Sequence, residues 1–191
     1  KTVGDICSTV LGGTPSRSNN EYWNGNINWI NSGEVNKLRI ISASEKITWL
    51  GLNNSSTKLM PKKTTVIAIT GATLGAVSLL EIESCANQSV IGIYESEDYP
   101  YTYVYELIIN KIKDIIGRQT GGAQQHINKN DVNSFKIVVP VKSLIMSFHK
   151  NTDAFHKIIA TNMFANVNLS KIRDELLPKL MSGEIEVPVE E

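Results

Sequence analysis

The chain has 191 residues, of which 41% are hydrophobic, 20% charged and 7% aromatic. Its 19 Lys and Arg residues balance its 19 Asp and Glu residues, so no global positive field gathers nucleic acid and any DNA contact needs a local patch. The apolar content excludes a disordered chain and is sufficient for a core without disulfide or metal staples.

The sequence disfavours a membrane span, a leader segment, a disulfide and a zinc site. No apolar run reaches the roughly 20 residues of a membrane span, and no charged-then-apolar leader opens the chain. Cys7 and Cys85 stand far apart, with no CxxC pair and no neighbouring His, which favours two free buried thiols over a disulfide or a zinc site. We therefore expect a cytoplasmic protein that contacts no membrane and needs no metal or cofactor.

Short β-like runs separated by turn residues fill the chain from residue 1 to about residue 142. Each run is short and rich in β-branched residues, with Gly, Asn, Asp or Pro at its edges. The runs are residues 27–30, 64–69, 76–80, 89–94 and 135–140. This pattern predicts a mixed, mostly antiparallel β domain.

One segment within this stretch has helical spacing. Apolar residues recur at three- and four-residue steps from Val104 to Ile115 within residues 101–116. Pro100 precedes the segment and Gly117 follows it, as is typical of helix ends. We expect this helix to cover one face of the sheet.

Residues 143–181 then take up helical spacing with an apolar stripe. The stripe contains Phe148, Phe155, Ile158, Ile159, Leu169, Ile172, Leu176 and Leu180. A continuous helix would be roughly 55 to 60 Å long at 1.5 Å per residue, with a bend or an end near Pro178. The stripe is compatible with a helix packed on its own domain, but the length favours a projecting helix that needs a partner helix.

Two polar residues on the stripe support a paired helix. Asn162 and Asn166 lie where a buried amide costs stability but fixes the register between paired helices. The residues expected to mediate pairing are Phe148, Phe155, Ile159, Asn162, Asn166, Leu169 and Leu176. The predicted layout is a β-rich domain at residues 1–142 and a helical arm with an acidic tail at residues 143–191.

The chain offers little for catalysis. Its three histidines are dispersed, and His149 and His156 are two helical turns apart on the arm, too far for a shared metal. Gly71 and Gly75 follow a predicted strand without the Lys-Ser/Thr pair of a phosphate-binding loop. A tight turn between two strands is therefore predicted there, and a small hydrolase is disfavoured.

Polar loops with small residues are the remaining candidates for function. Residues 12–20, 31–34 and 119–126 supply amide, hydroxyl and guanidinium groups that suit base edges and phosphates. Glycine also allows a backbone to approach a ligand closely. Such loops connect strands in any β domain, however, so the residues alone leave DNA recognition and an ordinary assembly module both open.

Taken in order, the motifs of the chain resemble the specificity subunit of Type I restriction–modification enzymes. The likeness spans nearly all 191 residues. The motifs are Val3-Gly4-Asp5-Ile6, Gly12-Gly13-Thr14-Pro15-Ser16, Tyr22-Trp23, Ile27-Asn28-Trp29-Ile30, Ser32-Gly33-Glu34, Thr70-Gly71-Ala72-Thr73-Leu74-Gly75, Asn87-Gln88, Gly121-Gly122-Ala123-Gln124-Gln125-His126-Ile127, the run from Phe135 to Pro140, and Leu176-Leu177-Pro178-Lys179-Leu180-Met181-Ser182-Gly183-Glu184.

The resemblance implies an α+β fold in which a β-rich target recognition domain precedes one long conserved-region helix. In this family the long helices pair as an antiparallel coiled coil that spaces two DNA-reading domains, each of which reads half of a split target. Methylation and cleavage belong to separate subunits, so this chain would not be an enzyme. The implied partners are double-stranded DNA, modification subunits and, through them, the restriction subunit.

The chain departs from the full length of the family because it holds one recognition domain and one helix. It is then either the C-terminal half of a longer subunit or a half-length subunit that pairs with a second copy. A rival interpretation is an assembly module that dimerises through its long helix without binding DNA.

The resemblance directs attention to loop residues as DNA contacts. The candidates are Thr14, Ser16, Arg17, Ser32, Glu34, Lys37, Arg39, Thr70, Thr73, Arg118, Gln124 and Gln125. Arg17 and Gln124 are best suited to base contacts, because a guanidinium pairs with guanine and an amide with adenine. Gln88 is expected instead to hold a neighbouring loop in place.

Overall fold

The computed structural model describes residues 1–118 and 126–185, and within these residues eight strands, numbered in chain order, form two sheets. The larger sheet has the order β1 (Thr9–Leu11), β8 (Val90–Ile93), β5 (Thr65–Ala68), β6 (Val77–Leu80) and β3 (Arg39–Ile40). The smaller sheet has the order β4 (Glu45–Ile47), β2 (Trp23–Ile30) and β7 (Cys85–Ala86). The β3–β6 and β2–β7 pairs are parallel and the other pairs antiparallel, which confirms the predicted mixed sheet.

The central strand β5 is buried on both faces of the larger sheet. Successive side chains of a strand point to opposite faces, so Val66 and Ala68 join one core while Ile67 and Ile69 join another. Helix α2 (Tyr101–Gly117) packs on the Ile67 face through a row of apolar side chains from Val104 to Ile115. The prediction that this helix covers one face of the sheet is confirmed.

Local capping produces short helices that the hydrophobic pattern did not predict. In α1 (Trp49–Asn53) the Thr48 hydroxyl accepts a hydrogen bond from the Gly51 backbone N–H. In α3 (Lys129–Asn133) the Asn128 side chain accepts hydrogen bonds from two backbone N–H groups. Helices of five residues are too short to show periodicity, so only their caps mark them.

The predicted strand at residues 135–140 is wrong. Lys136 forms an isolated bridge with Thr2, but the run does not continue as a strand beside it. Val138 is 93% exposed, and Pro140 has no N–H to donate to a neighbouring strand. β-branched composition alone therefore overstated the pairing of this segment.

Helix α4 (Lys142–Met181) is continuous over 40 residues, which confirms the predicted long helix. The chain forms two compact units, Lys1–Asp153 and Ala154–Glu191, and the boundary between them lies within this helix. Pro178 lies inside the last turn and the helix ends three residues later, since proline removes an N–H but tolerates a helix terminus better than an interior. Gly183 follows with a positive φ of 74°.

The start of α4 is held on the rest of the first unit by two polar contacts and one buried apolar side chain. Lys142 forms an ion pair with Asp98, and Ile145 is buried. The Tyr101 hydroxyl donates a hydrogen bond of 2.6 Å to Asp153. Residues 142–153 are thus integral to the first unit.

The second unit carries the rest of α4, and its apolar side chains are largely exposed. Phe155 is 65% exposed and Leu169 61% exposed. Although α4 is long, no helix in the described part of the chain has an apolar stretch that could cross a membrane. The α+β architecture with one long C-terminal helix is as predicted.

Both cysteines are free and buried. Burial raises the pKa of the Cys7 thiol to about 12 and that of the Cys85 thiol to about 11. Because the thiolate is the reactive form, we expect neither thiol of the native protein to react with a disulfide reagent at pH 8, and both to react in denaturant. Rapid labelling of either thiol before unfolding would contradict this expectation.

Candidate nucleic-acid interface

The loop at residues 12–20 is fastened to the sheets by its two leading glycines. The Gly12 backbone N–H donates to the Val90 carbonyl at 2.9 Å, and that of Gly13 donates to the Ala86 carbonyl at 2.8 Å. A Cβ at Gly12 would lie 2.1 Å from the Asn87 carbonyl oxygen. Only glycine allows this close backbone approach, so the loop begins from a fixed point.

Two indole N–H groups hold the same loop against β2. The Trp29 Nε1–H donates to the Gly13 carbonyl and the Trp23 Nε1–H to the Ser16 carbonyl, both at 3.1 Å. The Thr14 hydroxyl donates to the Gln88 side-chain oxygen at 2.5 Å, so Gln88 does hold a neighbouring loop. Thr14, Ser16 and Arg17 are therefore presented on a constrained segment.

Arg17 makes a preformed cluster with Trp23 and Glu45. Its guanidinium carbon lies 3.6 Å from the Trp23 ring centroid, a stacking distance for a cation–π contact. Nη1 donates to Glu45 Oε1 at 3.0 Å and Nη2 to Oε2 at 2.7 Å. These contacts fix the orientation of the Arg17 side chain, which is nevertheless 54% exposed.

An open cleft borders this cluster on the smaller sheet. Its lining includes Asn20, Asn24, Ser44 and Lys46 beside Arg17, Trp23 and Glu45. Asn24 holds a positive φ of 61°, a conformation that Asn tolerates better than most residues. Amide, hydroxyl, ammonium and guanidinium groups thus converge in one concave place, a chemistry that suits base edges and phosphates.

Glu34 was predicted to contact DNA, and the structure corrects this. Its Oε1 accepts a hydrogen bond from the Ser44 backbone N–H at 3.0 Å, and its Oε2 accepts from the Ser44 hydroxyl at 2.9 Å and from the Asn31 backbone N–H at 3.1 Å. The residue is buried at the start of the 3₁₀ helix Ser32–Asn36. Its carboxylate therefore fastens this helix to the segment that carries Glu45.

Arg39 is the second predicted DNA contact that the structure corrects. It is 2% exposed, and its Nη1 lies 3.6 Å from Glu81 Oε1. Its guanidinium also lies 4.7 Å from the Tyr105 ring centroid. The guanidinium therefore packs inside the domain, beside Glu81 and Tyr105, and is not accessible to a DNA ligand at the surface.

A second group of predicted residues lies around two adjacent 3₁₀ helices, Ser32–Asn36 and Gly71–Thr73. Ser32, Thr70 and Thr73 are half-buried there, whereas Lys37 is exposed beside Glu34, with 3.8 Å between Lys37 Nζ and Glu34 Oε1. Gly71 and Gly75 have φ values of 73° and 83°, in the region that favours glycine. The predicted tight turn is instead a longer connection between β5 and β6, which contains the 3₁₀ helix Gly71–Thr73.

Of the remaining predicted residues, one lies at the end of α2. Arg118 caps this helix and is exposed, with its guanidinium 4.2 Å from the Phe135 ring centroid. Gln124 and Gln125 lie outside the described residues. Among residues 1–118 and 126–185, no three His, Cys, Asp or Glu side chains are grouped to hold a metal ion.

Sequence reasoning missed the parts of the Arg17 cluster that come from elsewhere in the chain. Glu45 is 28 positions from Arg17, in a segment with no motif of its own. Trp23 was noted only as part of a family motif, although an aromatic beside a polar loop is a usable signal for an arginine platform. The pairing of β2 with β4 is what brings Glu45 to Arg17.

A family model and two solved structures are similar to this chain. A family model described as the Type I restriction modification DNA specificity domain matches residues 1–169. The S subunit of a Type I restriction-modification system from M. genitalium has a similar fold, with a TM-score of 0.66 at 17% identity, covering 95% of this chain and 45% of that one. The HsdS subunit from Thermoanaerobacter tengcongensis superposes with a TM-score of 0.59 at 12% identity, covering 97% of this chain and 45% of that one.

Curated relatives are similar over the same region. The specificity subunit of the HindI Type I restriction enzyme from Haemophilus influenzae is 27% identical over 191 residues, 97% of this chain and 41% of the relative. The EcoR124I/EcoR124II specificity subunit from Escherichia coli is 32% identical over 146 residues, 73% of this chain and 36% of the relative. The chain spans less than half the length of these relatives. With the family model matched over residues 1–169, the chain belongs to the family of Type I restriction modification DNA specificity domains.

Proposed function

We propose that this chain recognises one half of a split sequence in double-stranded DNA, as the target recognition domain and spacer helix of a Type I restriction–modification specificity subunit. The observation that best supports this proposal is the anchored loop that presents Arg17. Stacked on Trp23 and half exposed, its guanidinium has the planar fork that pairs with guanine. In this proposal the chain is a recognition subunit and not an enzyme.

The base contacts in this proposal come from the surface around Arg17 and the two 3₁₀ helices. Thr14, Ser16 and Arg17 form one group, and Ser32, Lys37, Thr70 and Thr73 form the other. Arg118, Gln124 and Gln125 remain proposed contacts. Because the chain has no net charge, much of the phosphate binding has to come from modification subunits that hold the same DNA.

The long helix supports a spacer role. Phe148, Phe155, Leu169 and Leu176 are exposed, as are Asn162 and Asn166, and Ile159 is half-buried. An exposed apolar stripe on a helix is stabilised by a second helix with a matching stripe. We propose that this occupant is the equivalent helix of a second specificity half or of a second copy, paired antiparallel.

The loop that presents Arg17 and the exposed stripe of the long helix suggest different roles for the two parts of the chain. We propose that residues 1–142 read DNA, and that residues 143–191 set the spacing and dock partner subunits, including modification subunits and, through them, the restriction subunit. Buried free thiols suit a reducing compartment, so we propose that the protein works in the cytoplasm.

A binding selection tests the proposal. The complete subunit, assembled with its modification subunits, is used to select duplexes from a randomised pool, and affinities are then measured for a selected and an unrelated duplex. We expect Arg17→Ala to weaken binding of the selected duplex by about 1 to 3 kcal/mol, since one bidentate base contact is lost. Binding of the unrelated duplex changes only by the loss of one charge.

Lys62→Ala is the matched control, because Lys62 is exposed and its replacement removes one positive charge outside the Arg17 cluster. It is expected to leave the preference for the selected duplex unchanged. If the wild-type assembly selects no sequence, DNA recognition is refuted and the assembly-module interpretation is favoured. Equal effects of Arg17→Ala and Lys62→Ala would remove Arg17 from the reading surface.

A further inference from the structure

The hydrogen bonds of Arg17 leave part of its guanidinium available. A guanidinium carries five N–H donors in one plane, and Glu45 accepts one from Nη1 and one from Nη2. No other hydrogen bond of this guanidinium is formed within residues 1–118 and 126–185, so three donors remain there, of which Nε–H and the outer N–H of Nη2 point along the same edge. That edge is itself a fork of the spacing that accepts a guanine O6 and N7.

The Trp23 ring and the Glu45 carboxylate restrict this fork in different ways. The ring covers one face of the guanidinium at 3.6 Å, which sets the plane. The two parallel hydrogen bonds to Glu45, of 3.0 and 2.7 Å, set the rotation within that plane. Without the carboxylate, a flexible arginine side chain would sample several rotamers over the ring.

Glu45 is itself held from two sides. It lies in β4, where it is paired with Trp29 of β2, so its backbone is fixed by the smaller sheet. The neighbouring Ser44 donates hydrogen bonds from its backbone N–H and its hydroxyl to the buried Glu34 carboxylate, at 3.0 and 2.9 Å. A continuous set of contacts therefore runs from the Ser32–Asn36 helix to the guanidinium of Arg17.

Charge gives a second reason to assign Glu45 a role in orientation. A carboxylate on a DNA-facing surface repels phosphates, so its presence there opposes affinity. Beside Arg17 it also cancels the charge that would attract any DNA sequence. The benefit of the pair is a fixed orientation of the Arg17 guanidinium, since a charge-assisted bidentate contact fixes direction as well as distance.

We infer that Glu45 is a positioning residue for base recognition, which holds Arg17 so that its free edge reads one guanine and keeps Arg17 from acting as a general phosphate binder. This inference rests on the proposed function. It predicts opposite changes in two measurable quantities when the carboxylate is removed: selectivity falls, while affinity for unrelated DNA is unchanged or rises.

The test uses Glu45→Gln in the complete subunit assembled with its modification subunits. Glutamine keeps the shape but replaces one acceptor oxygen with an NH2 donor, so the two parallel hydrogen bonds to Nη1 and Nη2 cannot both form. In selection from a randomised duplex pool, we expect one guanine position to lose roughly fivefold or more of its preference, the lower end of what a bidentate base contact contributes. Preferences at the other positions are expected to persist.

Glu21→Gln is the matched control, since Glu21 is exposed and the change removes one negative charge without breaking the Arg17–Glu45 pair. It is expected to keep the full preference at every position. Unchanged preferences in Glu45→Gln, or a uniform loss of binding to all duplexes, would overturn the inference while leaving DNA recognition intact. Absence of any selected sequence in the wild type would instead refute the proposed function.

Discussion

Glu81→Ala is expected to lower the free energy of unfolding by about 3 to 5 kcal/mol, because it removes the carboxylate of a buried ion pair. Glu81 Oε1 lies 3.6 Å from Arg39 Nη1, and Glu81 Oε2 lies 2.5 Å from Lys63 Nζ. The side chains of Glu81 and Arg39 are 4% and 2% exposed, so solvent does not screen this ion pair in the native protein. Urea unfolding followed by tryptophan fluorescence measures the change.

Glu83→Ala provides the matched control for this prediction. Glu83 is exposed, and its backbone carbonyl accepts a hydrogen bond from the Asn28 side-chain amide, which alanine retains. Its replacement should change stability by no more than about 0.5 kcal/mol. Similar losses for Glu81→Ala and Glu83→Ala would show that the buried pair does not carry the stability assigned to it.

Replacing Arg39 is expected to destabilise the domain, because its side chain belongs to the same buried cluster. The ring centroids of Tyr101 and Tyr105 lie 5.0 Å from Lys63 Nζ and 4.7 Å from the Arg39 guanidinium, respectively. The Tyr101 hydroxyl binds Asp153 in α4, so the cluster connects the larger sheet to the start of the long helix. If an Arg39 variant lost DNA binding, the cause would be destabilisation of the domain and not the loss of a direct contact with DNA.

Replacing both Phe155 and Ile159 with Asp is expected to abolish helix pairing at micromolar protein concentrations. Each apolar side chain buried in a seam contributes about 2 kcal/mol, so losing two weakens association by about 1,000-fold, before the cost of burying charge. Sedimentation velocity of the subunit, together with assembly onto the modification subunits, measures the effect. Circular dichroism checks that the helix itself persists.

The control for this prediction places two aspartates on the opposite side of the helix. Thr161 and Asn168 are both exposed and seven positions apart, so they share a face that lies away from Phe155 and Ile159 at helical spacing. Thr161→Asp with Asn168→Asp adds the same charge and should leave assembly intact. Normal mass and assembly in the Phe155 and Ile159 variant would refute pairing through this stripe.

The elements predicted well are those in which local pattern and tertiary packing agree. The run around Val66 is apolar throughout because both faces of β5 are buried, and residues 101–116 are amphipathic because one face of α2 packs on the sheet. Residues 135–140 have the same composition as a strand but meet only one bridge. Amino-acid composition indicates whether a segment is able to form a strand, whereas the strand forms only if another strand with free backbone groups lies beside it.

The candidate site was predictable only in part for the same reason. Arg17 stood out because a polar, glycine-led loop cannot be a core element, and the structure places it on an exposed, anchored segment. Glu34 and Arg39 looked identical to surface charges in the sequence, yet both are buried with partners. Whether a charge is solvated or buried depends on the partner that the fold brings to it.

The sequence by itself determined the fold class, the long C-terminal helix and the family, because periodicity and ordered motifs are properties of the chain alone. Only the tertiary structure decided which charges face solvent and that Glu45 meets Arg17, 28 positions earlier in the chain. The physical reason is that hydrophobic periodicity is local, whereas an ion pair between β4 and a loop before β2 exists only once strand register is set. Register is a property of paired strands and is not visible in either strand alone.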